Sequence, residues 1–269
     1  MTTSTNQPTI APIQLAPGEL QFYKDEGYLV LPGLLDAAQI ETVKAEILDV
    51  MESAGAHPER LKQAQSAKDK LIQSGQYLRD SALDAMVNSP NLLSIASQLM
   101  EGESSLYLPF TAVKSGGGGG QFHVHQDNQY TRFDGPGINI WIAISPMTPE
   151  NGCLQVVPRS HLGGTIESVE NPDGDGHRTI AGEVERSLPV RMNAGDAIAF
   201  SRLTLHGSGP NATDEARIAY AVQFHRNDVR ATPKGQHETE PYLLLGTRGP
   251  MTSAVDELSP PEPSYGDGH

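Results

Sequence analysis

Apolar residues recur along the first hundred positions with two different periods. Gly27-Tyr28-Leu29-Val30-Leu31-Pro32 is a short continuous apolar run and reads as a strand, with the fold beginning near Leu20. Ile40, Val43, Ile47 and Val50 then repeat at helical spacing behind Asp36, an N-cap residue with Gln39 three positions on. That is the capping-box pattern, and it predicts a helix with one apolar face to lay on a sheet. Ser89-Pro90 supplies the N-cap and first-position proline of a second helix carrying Leu92, Leu93, Ile95 and Leu99, and Gly102 is placed to end it. Between these helices, residues 57–88 are polar and read as partly helical, with Lys62, Lys68, Asp69 and Lys70 on a solvated face.

From Ser105 the texture changes to short β-like runs: Leu106 to Val113, Gln121 to His125, Ile138 to Ile144, Leu154 to Val157, Ala197 to Phe200 and Ile218 to Phe224. Turn signals separate them, such as Asp134-Gly135-Pro136-Gly137 and Asn193-Ala194-Gly195-Asp196. The order is helices first, then a strand-rich barrel or sandwich. Residues 161–187 read as a long loop. Its Asn171-Pro172-Asp173-Gly174-Asp175-Gly176 stretch reads as a plain turn, because a calcium loop needs further ligands and a closing Glu that the spacing lacks. Residues 1–16 and 259–269 have no periodicity and are expected as flexible ends around a single domain at 17–258.

Composition sharpens this picture in three ways. Gly (27) and Pro (20) are frequent and aromatics make up only 6%, which suits a turn-rich β protein better than a helical bundle. The net charge of −14 sets the chain against nucleic acid and anionic membranes, so no partner of either kind is expected. Cys153 is the sole cysteine and has no intramolecular disulfide partner; it reads as a small buried residue. The N-terminus has no basic start followed by an apolar stretch, and no apolar run reaches the roughly 18 residues needed to span a bilayer, so a cytoplasmic protein is expected.

The chemistry centres on His125-Gln126-Asp127. Alternate residues of a strand point to one face, which sets an imidazole beside a carboxylate. A distant histidine would complete two neutral nitrogens and one anionic oxygen on one face of a metal, the arrangement of non-haem Fe(II) oxygenases. His123 shares the strand parity and competes with His125 as the ligand.

Leu205-His206-Gly207-Ser208-Gly209-Pro210-Asn211 ends a predicted strand, and Arg217 lies eleven residues beyond His206. With Phe22 to Pro32 and Asn151-Gly152-Cys153-Leu154-Gln155-Val156-Val157-Pro158-Arg159-Ser160-His161, the chain resembles the phytanoyl-CoA dioxygenase family of Fe(II)/2-oxoglutarate oxygenases over roughly residues 20–230. The resemblance implies a double-stranded β-helix, a jelly-roll or cupin-like barrel with N-terminal helices packed on one sheet. It implies Fe(II), with 2-oxoglutarate and O2 as cosubstrates, and oxidation, usually hydroxylation, of a small molecule with release of succinate and CO2. By the same resemblance His125, Asp127 and His206 are the iron ligands and Arg217 anchors the far carboxylate of 2-oxoglutarate, with Ser208 beside it. Trp141, Gln126 and Lys114 are further candidates for the cosubstrate pocket. Asp127 favours hydroxylation, since related halogenases lack this carboxylate. The competing reading is a non-catalytic metal- and ligand-binding barrel, which has no need of Arg217 at this spacing. A zinc hydrolase is disfavoured by the lack of His-Glu-x-x-His.

Two departures from the family pattern stand out. Arg159 replaces the usual Gly before Ser-His, where it alters a turn or sets a cation near the barrel mouth, and Gly116 to Gly120 suggest a mobile lid. Arg132, Arg202, Arg226 and Arg230 are candidates for a local anion site, and His161 and His225 read as structural. The substrate itself and the oligomeric state are not encoded in any of these motifs.

Overall fold

Asp36 accepts a hydrogen bond from the Gln39 N–H at 2.9 Å while its own N–H donates to Gln39 Oε1 at 2.8 Å, so the capping box forms and starts a helix at Ala37. In the computed structural model, which describes residues 13–66, 68–75, 77–171, 177–182, 184, 186–233 and 242–243, the helices are α1 (Pro17–Glu26), α2 (Ala37–Ser53), α3 (Pro58–Leu61), α4 (Ala82–Val87) and α5 (Pro90–Met100). The first strands are β1 (Tyr28–Leu31), β2 (Leu71–Ser74), β3 (Ser104–Lys114), β4 (Phe122–His125) and β5 (Thr131–Phe133). They are followed by β6 (Gly137–Ala143), β7 (Leu154–Val156), β8 (Ser168–Glu170), β9 (Arg178–Ile180) and β10 (Leu188–Pro189). The last are β11 (Ala197–Ser201), β12 (His206–Ser208), β13 (Arg217–Arg226), β14 (Arg230–Pro233) and β15 (Tyr242–Leu243).

A six-stranded sheet in the order β1-β11-β6-β13-β3-β2 carries the helices on its outer face. Ile138, Ile140 and Ile142 of β6 and Ile218, Tyr220, Val222 and Phe224 of β13 pack there with Val43 and Ile47 of α2 and Leu92 and Ile95 of α5. The residues of opposite parity, Trp141, Ala143, Ala219 and Ala221, pack with Leu154 and Val156 of β7. The inner face therefore looks at a second sheet, β10-β7-β12-β4. This explains why β6 and β13 read as largely apolar runs, since both of their faces are covered. The arrangement is the expected jelly roll with helices on one sheet, but the expected barrel does not close: the hydrogen bonding stops at the edges of separate sheets.

Residues 161–187, expected as a long loop, hold the paired strands β8 and β9, and three other local features differ from expectation. Helix α1 lies ahead of the predicted strand; it buries only Tyr23, so it carries no apolar period to read. Helices α3 and α4 fall within the partly helical segment 57–88, but strand β2 between them extends the main sheet, and its two apolar residues, Leu71 and Ile72, are too few to show alternation. At the end of α5 the left-handed residue is Glu101 (φ 53°), with the Gly102 N–H donating to Ser97 O. Gly102 serves close approach instead, since a Cβ there would lie 2.6 Å from Arg226 Cδ. The C-terminal tail at 259–269 and residues 172–176 of the expected turn lie outside the described residues, as does the expected N-terminal lead-in up to residue 12.

The glycine run, expected as a mobile lid, is braced by hydrogen bonds in this structure. Gly117 and Gly118 donate to Thr213 O and Asn211 O at 2.7 and 2.8 Å, and Asn211 donates to Gly119 O at 2.9 Å. This fastens the run to the segment just after β12. A Cβ on Gly116 would sit 2.1 Å from the Asp214 carbonyl oxygen, so a backbone must move to accept one. Gly116→Ala is therefore expected to destabilise the protein by about 1–3 kcal/mol. Gly163→Ala, where a Cβ meets nothing within 4 Å, should leave the melting temperature unchanged. Equal melting temperatures for the two variants would show that the brace is not a packing constraint.

Candidate active site

Strand β4 ends at His125, and His206 opens β12 directly opposite it. Asp127 is not on the strand, as alternation had suggested; it begins a 3-10 turn, Asp127–Gln129, that swings its carboxylate back to the same point. His206 Nε2 and His125 Nε2 lie 3.7 and 4.0 Å from Asp127 Oδ1, and one ligand atom from each of the three residues falls within 4.8 Å of the others. All three are buried. His125 Nδ1 donates to His123 O at 2.8 Å and His206 Nδ1 to Thr204 O at 2.9 Å, which leaves each Nε2 lone pair facing the cluster. Burial, then the neighbouring His206, push the His125 pKa down to about 3, so the ring is neutral and able to ligate. Burial pushes the Asp127 carboxyl up, but His206, Arg202 and His125 with an Asn139 hydrogen bond outweigh it and hold it below its ordinary value. Two neutral nitrogens and a carboxylate at this spacing fit a divalent first-row metal ion.

His123 supplies its backbone carbonyl to orient His125 while its ring lies within reach of Gln121 Nε2, outside the cluster. The choice between the two histidines of β4 therefore falls on His125.

A second charged centre lies on the inner face where β13 meets β3. Arg217 and Lys114 are cross-strand partners and both are buried. Arg217 donates to Ala112 O at 3.3 Å and its guanidinium stands 5.1 Å from the Trp141 ring, while its Nε has no partner. Lys114 Nζ donates to Ser208 Oγ at 2.7 Å and also to Ser208 O and Gly209 O. Among the described residues, neither cation is ion-paired with a carboxylate. Burial draws Arg217 down to about 9 and, with the Arg217 charge adding to it, Lys114 down to about 6. A guanidinium buried without a paired carboxylate is costly unless an anion comes to it. A cavity of about 1010 Å3 touches this centre through Arg217, Ser208 and Trp141 and the metal cluster through His125, Asp127 and His206.

The family profile described as Phytanoyl-CoA dioxygenase (PhyH) matches residues 23–219. The chain belongs to the phytanoyl-CoA dioxygenase family. It is accordingly a non-haem oxygenase dependent on Fe(II), 2-oxoglutarate and O2, and its His-Asp-His cluster suits that cofactor set. A phytanoyl-CoA dioxygenase domain-containing protein 1 of Danio rerio is 27% identical, covering 78% of this chain and 89% of its own. An L-proline trans-4-hydroxylase of Streptomyces griseoviridis is 26% identical, covering 87% and 94%. The crystal structure of SnoK, a non-haem α-ketoglutarate-dependent carbocyclase from nogalamycin biosynthesis, superposes with a TM-score of 0.65 at 21% identity over 89% of this chain and 96% of that one, and so shares the fold.

The remaining candidates of this phytanoyl-CoA dioxygenase family chain divide clearly. Trp141 both packs in the inner core and lines the cavity. Lys114 is fully buried behind Ser208, which rules out a solvated strand-end charge. Gln126 points elsewhere: its amide donates to Gly164 O and Leu203 O and accepts from the Ile166 N–H, and it does not line the cavity. Arg159 takes the left-handed φ of 65° that the family's usual glycine would favour, and its guanidinium reaches Glu26 and not the cavity. Of the four arginines proposed for an anion site only Arg202 lines the cavity, and its terminal nitrogens Nη1 and Nη2 already donate to Gln223 Oε1, Asp127 O and Thr131 O. Sequence reasoning missed Asn139 and Gln223, which donate to Asp127 Oδ2 at 3.3 and 3.2 Å. The available signal was a lone amide interrupting each of two otherwise apolar strands at inner-facing parity.

Proposed function

We propose that the chain hydroxylates a small-molecule substrate at a metal held by His125, Asp127 and His206, with 2-oxoglutarate received by Arg217. One observation carries this reading: a metal-fitting cluster and a buried guanidinium without a counter-ion face the same cavity. When bound, Fe(II) with 2-oxoglutarate and O2 supplies the oxidising power, and succinate and CO2 leave as the by-products. Arg217 holds the far carboxylate with paired donors, floored by Trp141, and Ser208, already accepting from Lys114, gives its own hydroxyl proton to the same carboxylate. Tyr107, Leu108, Phe110, Phe122 and Leu71 line other parts of the cavity, which fits a substrate with an apolar body. Hydroxylation is also the activity named for the proline-hydroxylase relative. Among the described residues no helix is long and apolar enough to cross a membrane, and the acidic balance supports neither nucleic acid nor an anionic membrane as partner. The working compartment we infer is the cytoplasm. The test is anaerobic reconstitution with Fe(II) followed by 2-oxoglutarate, O2 and a metabolite library. Succinate formation with a substrate gaining one oxygen atom is expected; substrate binding without succinate would favour the ligand-binding barrel.

The buried cations give this reading a pH signature. Lys114, lowered to about 6, is neutral in the free protein above that pH, and a carboxylate beside it favours the ammonium form. Binding of 2-oxoglutarate between pH 6 and the lowered Arg217 value of about 9 is therefore expected to take up close to one proton. Affinity should weaken as pH rises through this window, by up to about tenfold per unit. Calorimetry in buffers of different ionisation enthalpy reads the proton count directly, and a count of zero at pH 7.5 would remove Lys114 from the cosubstrate site.

A further inference from the structure

Asp127 presents its two carboxylate oxygens to different surroundings. Oδ1 faces the Nε2 atoms of His206 and His125, whereas Oδ2 accepts hydrogen bonds from Asn139 Nδ2 and Gln223 Nε2. Asn139 on β6 and Gln223 on β13 are cross-strand partners on the inner face, so both amides approach the carboxylate from the main sheet. Behind them Arg202 Nη1 donates to Gln223 Oε1 at 2.7 Å, and its Nη2 donates to Asp127 O at 2.9 Å and Thr131 O at 3.1 Å. The guanidinium is stacked over Phe133, 4.0 Å from its centroid, with Tyr107 at 5.2 Å. All three polar residues are buried, at 2–4% exposure, so their hydrogen bonds are made inside the protein.

We propose that Gln223, oriented by Arg202, and its cross-strand neighbour Asn139 are positioning residues that restrict Asp127 to one-oxygen ligation of the metal. The proposal deepens the functional reading above and rests on its assignment of Asp127 as a ligand. The logic is one of donors and acceptors. A guanidinium can only donate, so Arg202 fixes the Gln223 carbonyl toward itself and the Gln223 amide N–H toward Asp127. A flipped Gln223 would set oxygen against oxygen at Asp127 and nitrogen against nitrogen at Arg202. With Oδ2 holding two such donors, the carboxylate cannot turn its second oxygen to the metal without breaking both bonds. Three single-atom protein ligands leave three positions of an octahedral ion open, and a chelating carboxylate would fill one of them. The two amides thus reserve room for cosubstrate and oxygen through Asp127, without touching either.

A purely structural role would lower stability when these residues are changed and move nothing else. Mn(II), bound in place of iron, distinguishes the two, because water-proton relaxation counts the exchangeable waters on the ion with no turnover. The wild-type protein without 2-oxoglutarate is expected to hold roughly three such waters. Gln223→Met combined with Asn139→Leu, which keeps bulk and removes both donors, is expected to lose one water. It should also weaken 2-oxoglutarate binding to the Mn(II) protein by about tenfold while Mn(II) affinity is retained or tightened. Gln223→Met alone carries the same test if the double variant does not fold, with a partial loss of water count expected. An unchanged water count and unchanged 2-oxoglutarate affinity in a folded variant would overturn the proposal and leave Asp127 as a ligand. Wild-type Mn(II) affinity in Asp127→Ala would instead overturn the ligand assignment, and this proposal with it.

Discussion

Alanine at His125, Asp127 or His206 is expected to reduce 2-oxoglutarate turnover to background and to weaken Fe(II) binding by more than about 100-fold, beyond the range typical of losing a residue that only supports a ligand. Each residue offers the cluster one donor atom. The two imidazoles have no second donor to substitute, since each Nδ1 proton is committed to a backbone carbonyl. Removing any one leaves two donors, too few to keep Fe(II) in an open three-sided geometry. His123→Ala is the matched control. Its carbonyl, which orients His125, survives the substitution, and its ring lies outside the cluster. That variant should keep its metal and most of its activity. Metal content after anaerobic reconstitution and dialysis, read beside succinate formation, separates the four proteins. Metal loss in His123→Ala with retention in His125→Ala would reverse the choice of ligand on β4.

How much of this was legible in the sequence follows from how local each signal is. The Asp36–Gln39 capping box and the Ser89-Pro90 start are short-range chemistry, and both helices begin where those residues place them. The inner strands β6, β11 and β13 were visible because burial on both faces makes them largely apolar. Strand β2 was not, because its membership in the sheet is decided by its pairing with β3, a long-range contact that two apolar residues do not announce. The His-x-Asp pair was read as strand alternation, yet a 3-10 turn delivers Asp127; the spacing identified the residues, and the geometry that unites them is different. Arg217 could be singled out by its distance from His206, but its buried partnership with Lys114 depends on the register of β13 against β3. Asn139 and Gln223 went unread for the same reason. A lone amide in an apolar strand acquires a role only once the register brings it to Asp127. The glycine run shows the same dependence on long-range partners: its composition suggests a mobile lid, and only the fold reveals its hydrogen bonds to residues 211–213.

Arg217→Ala is expected to retain Fe(II) but to raise the Km for 2-oxoglutarate by at least about tenfold, and this result discriminates the oxygenase from a barrel that merely binds metal and ligand. A hydrogen bond to a charged group is worth about 1.5–3 kcal/mol, and breaking a buried pair costs about 3–5 kcal/mol because the remaining charge is left uncompensated. Here the partner left behind would be a carboxylate inside the cavity, with Lys114 as the nearby cation. Lys114 offsets part of the loss, and it does so best at low pH, where it is charged. Because the Arg217 charge is one of the causes that hold the Lys114 pKa down, Arg217→Ala should also leave Lys114 more readily protonated and flatten the pH dependence of 2-oxoglutarate affinity, which a defect caused only by misfolding would not do. Arg217→Lys should rescue partially, since an ammonium restores charge but not the planar pair of donors, and it loses the stacking on Trp141. The bland alternative, in which Arg217 pairs with Asp214 or Glu215 at the surface, does not match its burial or the absence of an ion pair to it among the described residues. An unchanged Km in a folded Arg217→Ala protein with full iron content would nevertheless remove the cosubstrate assignment. The buried Arg217 guanidinium would then need a different anion, and the search for it would begin with the substrate itself.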